Sequence, residues 1–241
     1  MARIVYGIRP VAELLSYPDR VIKLLQLEDA RSQAIMELTD LAINNGINVE
    51  TVSRKILDSI TKEGAHQGIV AKANDFPYVT LETLLETKAK PGVPRRLILA
   101  CDEITDPQNF GAMARSMEAL GGVGVVIMSR RSVEVTHAVC KTSAGAVEHL
   151  PIAQVVNLSN ALDRAKKRGW MVVGLDMDGD LSAYDKLDAP DVVLVVGSEG
   201  KGIRRLVAEN CDRIMSIPMR GRVSSLNASV SVGIAISRLL S

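Results

Sequence analysis

The sequence predicts an α/β protein, most of it a mostly parallel sheet flanked by helices. The first observation is a set of apolar runs of strand length, "LILACD", "VGVVIM", "WMVVGLDM", "VVLVVGS" and "RIMSIPM". Their near-continuous apolarity suits strands covered on both faces rather than strands with one wet side. The second is that helical stretches separate them, several closing on glycine. Aromatics make up only 3% of the 241 residues, so the core must come from Val, Ile, Leu, Ala and Met.

The elements follow in order. "IRPVAELL" reads as a helix and "VIKLLQL" as a strand. "ARSQAIMELTDLAINNG" places Ile35, Leu38, Leu41 and Ala42 on one helical stripe, stopped by Gly46. "INVETVS" is a short strand, "RKILDSI" a helix and "GIVAKA" a closing strand. Residues 1–75 thus form a small α/β domain. Pro77, Pro91, Gly92 and Pro94 punctuate the next stretch, and 76–95 reads as a linker. A larger domain, 96–241, alternates the five strands with helices at "GAMARSMEALGG", "VEVTHAVCKTSAGAV", "SNALDRAKKRG" and "IRRLVAENCD". A last helix with an apolar face opens at Ser225, Leu226 and Asn227.

The balance of 29 Lys and Arg against 28 Asp and Glu gives no global sign of a nucleic-acid partner. A local basic face remains available in Lys201, Arg204, Arg205, Arg220 and Arg222, with Arg130 and Arg131 extending it. The N-terminus lacks the apolar stretch of a signal peptide, and no run reaches the length of a membrane span. Cys101, Cys140 and Cys211 are odd in number and far apart, which suits a reducing cytoplasm. With no Cys-x-x-Cys and with His66, His137 and His149 isolated, no metal site is expected.

Ligands of an open parallel sheet bind beyond the carboxyl ends of its strands. Three loops meet that description: "EITDPQN", "GSEGKG" and "RGRVSSLN". Each leads into a helix, whose free N–H groups favour anionic or carbonyl-bearing ligands. "GSEGKG" fits neither the dinucleotide fingerprint nor the phosphate loop, and no Gly-x-Ser-x-Gly elbow occurs. Ser224, Ser225 and Ser229 have no obvious His partner for a triad.

"DEITDPQNFGAMARSMEALG", "VGSEGKGIRRLVAENCDRIMSIPM" and "SSLNASVSVGIAI", in that order, resemble the three motifs of the SPOUT RNA 2′-O-ribose methyltransferases. "YGIRPVAELL" and "HQGIVA" resemble the small RNA-binding domain of the same family. The two-part layout is most similar to the bacterial 23S rRNA guanosine 2′-O-methyltransferase branch. The resemblance implies a C-terminal trefoil knot, S-adenosylmethionine as methyl donor and a homodimer. It also implies transfer to a ribose 2′-hydroxyl of 23S rRNA or a precursor particle, in the cytoplasm. A tRNA target, or an RNA-binding assembly protein of the same fold without catalysis, are the alternatives.

The resemblance assigns Gly197, Ile217 and Leu226 to the cofactor. Elementary chemistry gives Gly197 close backbone approach or positive φ, Ile217 a strand end before Pro218, and Leu226 an apolar contact. It assigns Asn109, Arg115, Glu199, Ser225 and Asn227 to the catalytic pocket. Asn109, Ser225 and Asn227 equally have the residue types of helix caps, and Arg115 that of a solvated charge. The resemblance makes Arg115 central, beside the target ribose. Arginine stays protonated in proteins, so a clamp on phosphate or developing alkoxide suits it better than the role of base.

Overall fold

Strand burial separates two kinds of sheet in this chain. The computed structural model describes residues 2–241, which group into two units: 2–77 with Glu134–His149, and Tyr78–Val133 with Leu150–Ser241. The first unit opens with β1 (Arg3–Tyr6), α1 (Ile8–Leu15), β2 (Val21–Leu27) and α2 (Gln33–Asn44). It continues with β3 (Val49–Val52), α3 (Arg54–Thr61) and β4 (Ile69–Ala73). The strand order is β1-β4-β2-β3, with β4 antiparallel to both neighbours and β2 parallel to β3. Alternation sends Tyr6, Leu25 and Val70 to one face, where Leu57 and Ile60 of α3 cover them. The alternate positions Val5, Leu24, Ile69 and Ala71 are also fully buried, and α1 and α2 pack on each other. In α2 the buried stripe is Ile35, Leu38 and Ala42, whereas Leu41 is 43% exposed. Leu41 stands ~100° around the helix from Ala42, at the edge of the stripe rather than on it.

The second unit contains α4 (Leu81–Glu86), β5 (Arg96–Asp102), α5 (Pro107–Leu120) and β6 (Gly124–Met128). After an excursion through α6 (His137–Thr142), which belongs to the first unit, it resumes with β7 (Ile152–Val155) and α7 (Leu158–Lys167). Then come β8 (Met171–Leu175), β9 (Leu181–Ser182), β10 (Asp191–Gly197), α8 (Arg205–Ala208), β11 (Arg213–Ser216) and α9 (Ala228–Leu239). All seven strands are parallel, in the order β7-β6-β5-β10-β8-β11-β9. The five apolar runs are five of these strands; β7, broken by Gln154, and the two-residue β9 do not announce themselves, nor does β1 in the first unit. From β5 the chain winds outward through β6 and β7, whereas β10 lies on its other side. The loops after β5 and β10 therefore part at a topological switch point, where open α/β sheets form crevices.

Two stretches differ from the sequence expectation. The stretch 76–95 was expected to link domains. It carries α4, capped by Thr80 Oγ1 accepting the Thr83 N–H at 3.1 Å. Leu81, Leu84 and Leu85 enter the core beside Ile98, Val126 and Leu162. The helix expected over "VEVTHAVCKTSAGAV" ends at Thr142, and Gly145 at φ +90° turns the chain. The stretch Glu134–His149 packs with the first unit because of polar partners that periodicity does not register. Glu148, its side chain wholly buried, accepts from Arg3 Nη1 and Nη2 at 2.6 and 2.7 Å. Arg20 Nη1 donates to the Glu148 carbonyl at 2.9 Å, His149 Nε2 meets Glu13 Oε2 at 2.7 Å, and Tyr6 stacks on His137.

Candidate functional site

Three loops of the second unit carry the predicted site residues, and each is held differently. After β5, Asp106 caps α5, its carboxylate accepting the N–H groups of Gln108 at 3.3 Å and Asn109 at 2.9 Å. Capping is thus done three residues earlier than Asn109, which corrects that alternative and frees the Asn109 amide. After β11, Asn227 caps α9, with Oδ1 accepting the Ser229 N–H at 2.9 Å and the Ser229 hydroxyl at 2.6 Å. That duty fixes which way the amide points, so Nδ2 faces away from the helix. Nδ2 donates to Asn109 Oδ1 at 3.0 Å and to Glu199 Oε1 at 2.7 Å. One capping amide joins side chains from all three motifs.

After β10, the loop folds back on its own strand. The Gly202 N–H donates to the Ser198 carbonyl at 2.9 Å, with Gly200 at φ +80° and Gly202 at φ +66°. A Cβ on Gly197 would overlap the main chain of Gly202 and Ile203. The close approach expected at Gly197 is therefore made by its own loop, and the positive φ values stand at Gly200 and Gly202 instead. The consequence is a tight hairpin that presents Glu199 at its exposed tip.

What fastens this hairpin to the sheet escaped the sequence reading. Asp102 ends β5, in register with Gly197 of β10. Its side chain is wholly buried and accepts the Arg204 N–H at 2.9 Å and Arg204 Nε at 2.8 Å. Arg204 Nη1 also reaches Glu103 at 3.4 Å. The hydrogen bond that Arg204 donates to Asp102, outweighing some desolvation, raises the Arg204 pKa. A carboxylate with two charge-assisted bonds in a buried setting is an anchor: removing one partner would leave an uncompensated charge. Asp102 is thus a positioning residue for the loop that carries Glu199. Its only sequence signal is a charge at the end of an apolar run.

The same bonds correct the basic face. Arg204 is spent on Asp102, Arg205 pairs with Glu209, and Arg131 with Glu103. Lys201, Arg220, Arg222 and Arg130 are exposed and form no hydrogen bond or ion pair among the described residues. Arg115, on α5, is exposed and equally free. It follows Asn109 by less than two helical turns, but no hydrogen bond connects it to the trio. Ser225 precedes α9 without capping it, being exposed and unbonded. Ile217 lies one residue beyond β11, half-buried, and Leu226 is 38% exposed. The structure brings Asn109, Glu199 and Asn227 together and leaves Arg115 and Ser225 beside them in the chain. Burial pushes the thiols of Cys101, Cys140 and Cys211 up to about 12, so none is a thiolate nucleophile at neutral pH.

With this geometry in hand, comparison with known proteins is informative. Residues 96–237 match the model of the SpoU rRNA methylase family, and residues 4–79 match the model for RNA 2′-O ribose methyltransferase substrate binding. An uncharacterized tRNA/rRNA methyltransferase of Mycobacterium sp. (strain KMS) is 42% identical over 239 residues, covering 98% of this chain and 75% of that one. Its counterpart in Mycolicibacterium vanbaalenii is 43% identical over 238 residues, with the same coverage of both chains. The SpoU methyltransferase AviRb from Streptomyces viridochromogenes, solved in complex with AdoMet, shares the fold. It superposes with a TM-score of 0.81 at 23% identity, covering 98% of this chain and 88% of that one. The three-motif resemblance is borne out over residues 96–237, the relatives cover nearly the whole chain, and the protein belongs to the SpoU rRNA methylase family.

Proposed function

We propose that this SpoU-type RNA 2′-O-methyltransferase uses S-adenosylmethionine to methylate a ribose of 23S rRNA, at a guanosine. The observation that carries the activity is the Asn109–Asn227–Glu199 trio, assembled from three separate motifs at the carboxyl ends of parallel strands. The finer target rests on the two-part layout, a substrate-binding unit joined to a methylase unit. The names of the mycobacterial relatives admit tRNA as well.

The donor site fits what the loops offer. Met219, Val223 and Leu226 are 39%, 72% and 38% exposed on the loop after β11, an apolar surface beside a polar trio. A nucleoside needs that combination, a flat apolar contact and main-chain groups close by. Gly197, Ile217 and Leu226 would hold it, Gly197 through the hairpin it makes possible. S-adenosylmethionine supplies an electrophilic methyl group on a sulfonium. Transfer forms a bond from the ribose 2′-oxygen to that methyl carbon, breaks the sulfur–carbon bond and releases the hydroxyl proton. Arg115, permanently charged and without a partner, is suited to clamp a phosphate or the developing alkoxide. Glu199 is the only Brønsted base among Asn109, Arg115, Glu199, Ser225 and Asn227. Asn227 holds its carboxylate in place, and Asn109 and Ser225 complete the polar wall.

We carry the trefoil threading, the homodimer and the cytoplasmic setting as parts of the same reading. The insertion of β10 between β5 and β8 supports the first. Mapping ribose methylation across rRNA and tRNA in cells lacking the protein tests the whole. Loss of one 23S guanosine mark is expected. Loss of a tRNA mark instead would overturn the target, and loss of none would favour the assembly role.

A further inference from the structure

On α3 of the first unit and at its C-cap stand three cations, Arg54, Lys55 and Lys62, and none is neutralised by an ion pair among the described residues. Taking ~100° per residue, Arg54, Lys55, Asp58 and Ser59 fall within roughly 140° of one another, and Lys62 follows as the left-handed C-cap at φ +51°. With Glu63 they line an open groove of about 740 Å³. Asp58 is four residues after Arg54 and four before Lys62, the spacing at which opposite charges on a helix ordinarily pair. It pairs with neither. His66, only 4% exposed, takes it instead, Nε2 lying 3.0 Å from Asp58 Oδ1. The His66 ring is fixed from its other side, because Nδ1 accepts the Gly68 N–H at 2.9 Å, so Nε2 carries the proton. Arg54, Lys55 and Lys62 are exposed and make no ion pair or hydrogen bond among the described residues. The exposed face of α2 is the opposite case, since Glu37 and Asp40 stand there without a cation.

We propose that the α3 groove is where the RNA sugar–phosphate backbone docks on the first unit, with Arg54, Lys55 and Lys62 contacting phosphates. The proposal rests on the reading that this protein acts on RNA and locates one of its contacts. Charge complementarity names the occupant: the lining sets three unpaired cations against one exposed carboxylate, Glu63, once Asp58 is taken by His66, so a polyanion is favoured here and disfavoured on the acidic face of α2. Asp58, turned toward His66, leaves the cations to the ligand. Phosphate contacts position an RNA without reading its sequence, so this groove would set register rather than choose the base.

The test uses the full chain with deproteinised 23S rRNA and total tRNA, in filter binding across a salt series. The triple variant Arg54→Ala, Lys55→Ala, Lys62→Ala is compared with a charge-matched control, Arg31→Ala, Lys72→Ala, Lys88→Ala, whose residues are exposed outside the groove. The groove variant should weaken binding by ~10-fold or more and flatten the salt dependence by about two to three phosphate contacts. The control should stay within ~3-fold of wild type, as general charge loss alone would predict. Calorimetric titration with S-adenosylmethionine should be the same for all three proteins. Groove and control variants that bind alike would overturn the proposal while leaving the enzyme reading intact. Wild-type protein that binds the methyl donor but neither RNA would sink both.

Discussion

The two units spend their polar side chains in opposite ways. In the first, the Glu148 side chain is wholly buried and accepts from both terminal guanidinium nitrogens of Arg3, so neither oxygen is left over for a ligand. In the second, Asn227 spends its oxygen on a helix cap and keeps its nitrogen at the surface, bridging Asn109 and Glu199. A buried, fully satisfied pair holds architecture together and is costly to break from one side. A partly exposed cluster costs less to build and leaves groups free for chemistry. Asp102 stands between these cases, buried like Glu148 but fastening the loop that displays Glu199.

The sharpest way to break the comparison is to cut the chain where the sequence suggests a linker. A fragment beginning at Arg95 loses Leu81, Leu84 and Leu85 from the core, at ~1.5–3 kcal/mol for each buried leucine. It should melt far below a fragment beginning at Tyr78, measured by thermal unfolding. Equal melting would mean that α4 is dispensable. Neither fragment should match the full chain in RNA binding, because both leave Glu134–His149 without its partners.

Glu148→Ala should come next, because it strands Arg3 in a buried site. A destabilisation of ~3–5 kcal/mol is expected, read by urea unfolding. Arg3→Met with Glu148→Leu should recover much of it, since apolar replacement of a buried pair is often tolerated. A single-variant loss under ~1 kcal/mol would show that water reaches the pair.

Arg115→Ala addresses chemistry without architecture. Its exposure predicts unchanged unfolding and S-adenosylmethionine affinity within a few-fold. Single-turnover methyl transfer should fall ~100-fold or more, about 2.7 kcal/mol of transition-state stabilisation. Wild-type rates would make it a surface charge. Arg115→Lys should restore part of the rate if a point charge suffices, and little if the planar fork is needed.

Asn227→Ser separates the capping duty of the amide from its bridging duty. Serine still caps α9, so the cost should stay within ~1 kcal/mol. The variant lacks Nδ2, however, so Asn109 and Glu199 lose their common partner and methyl transfer should drop. If stability fell while activity held, the amide would matter for the helix alone, and the contrast between the two units would narrow.

Sequence alone determined the parallel sheet, because strands covered on both faces need continuous apolar runs, and five of the seven strands lie in such runs. It also determined the family and named the candidate site residues, because three motifs stand in order. Tertiary structure decided what those residues do for one another. Asn109, Glu199 and Asn227 are distant in the chain, and only the strand order brings them within hydrogen-bonding distance. Composition could not reveal that Asp106 caps α5 in place of Asn109, or that Arg204 is spent on Asp102. Each depends on a partner contributed by another part of the fold or on local geometry. Nor could periodicity place Glu134–His149, whose attachment is a buried ion pair with no period at all. Apolar patterning is local and additive along a chain, so a sequence displays it. Polar pairing depends on where distant atoms finally meet, and only the folded chain settles that.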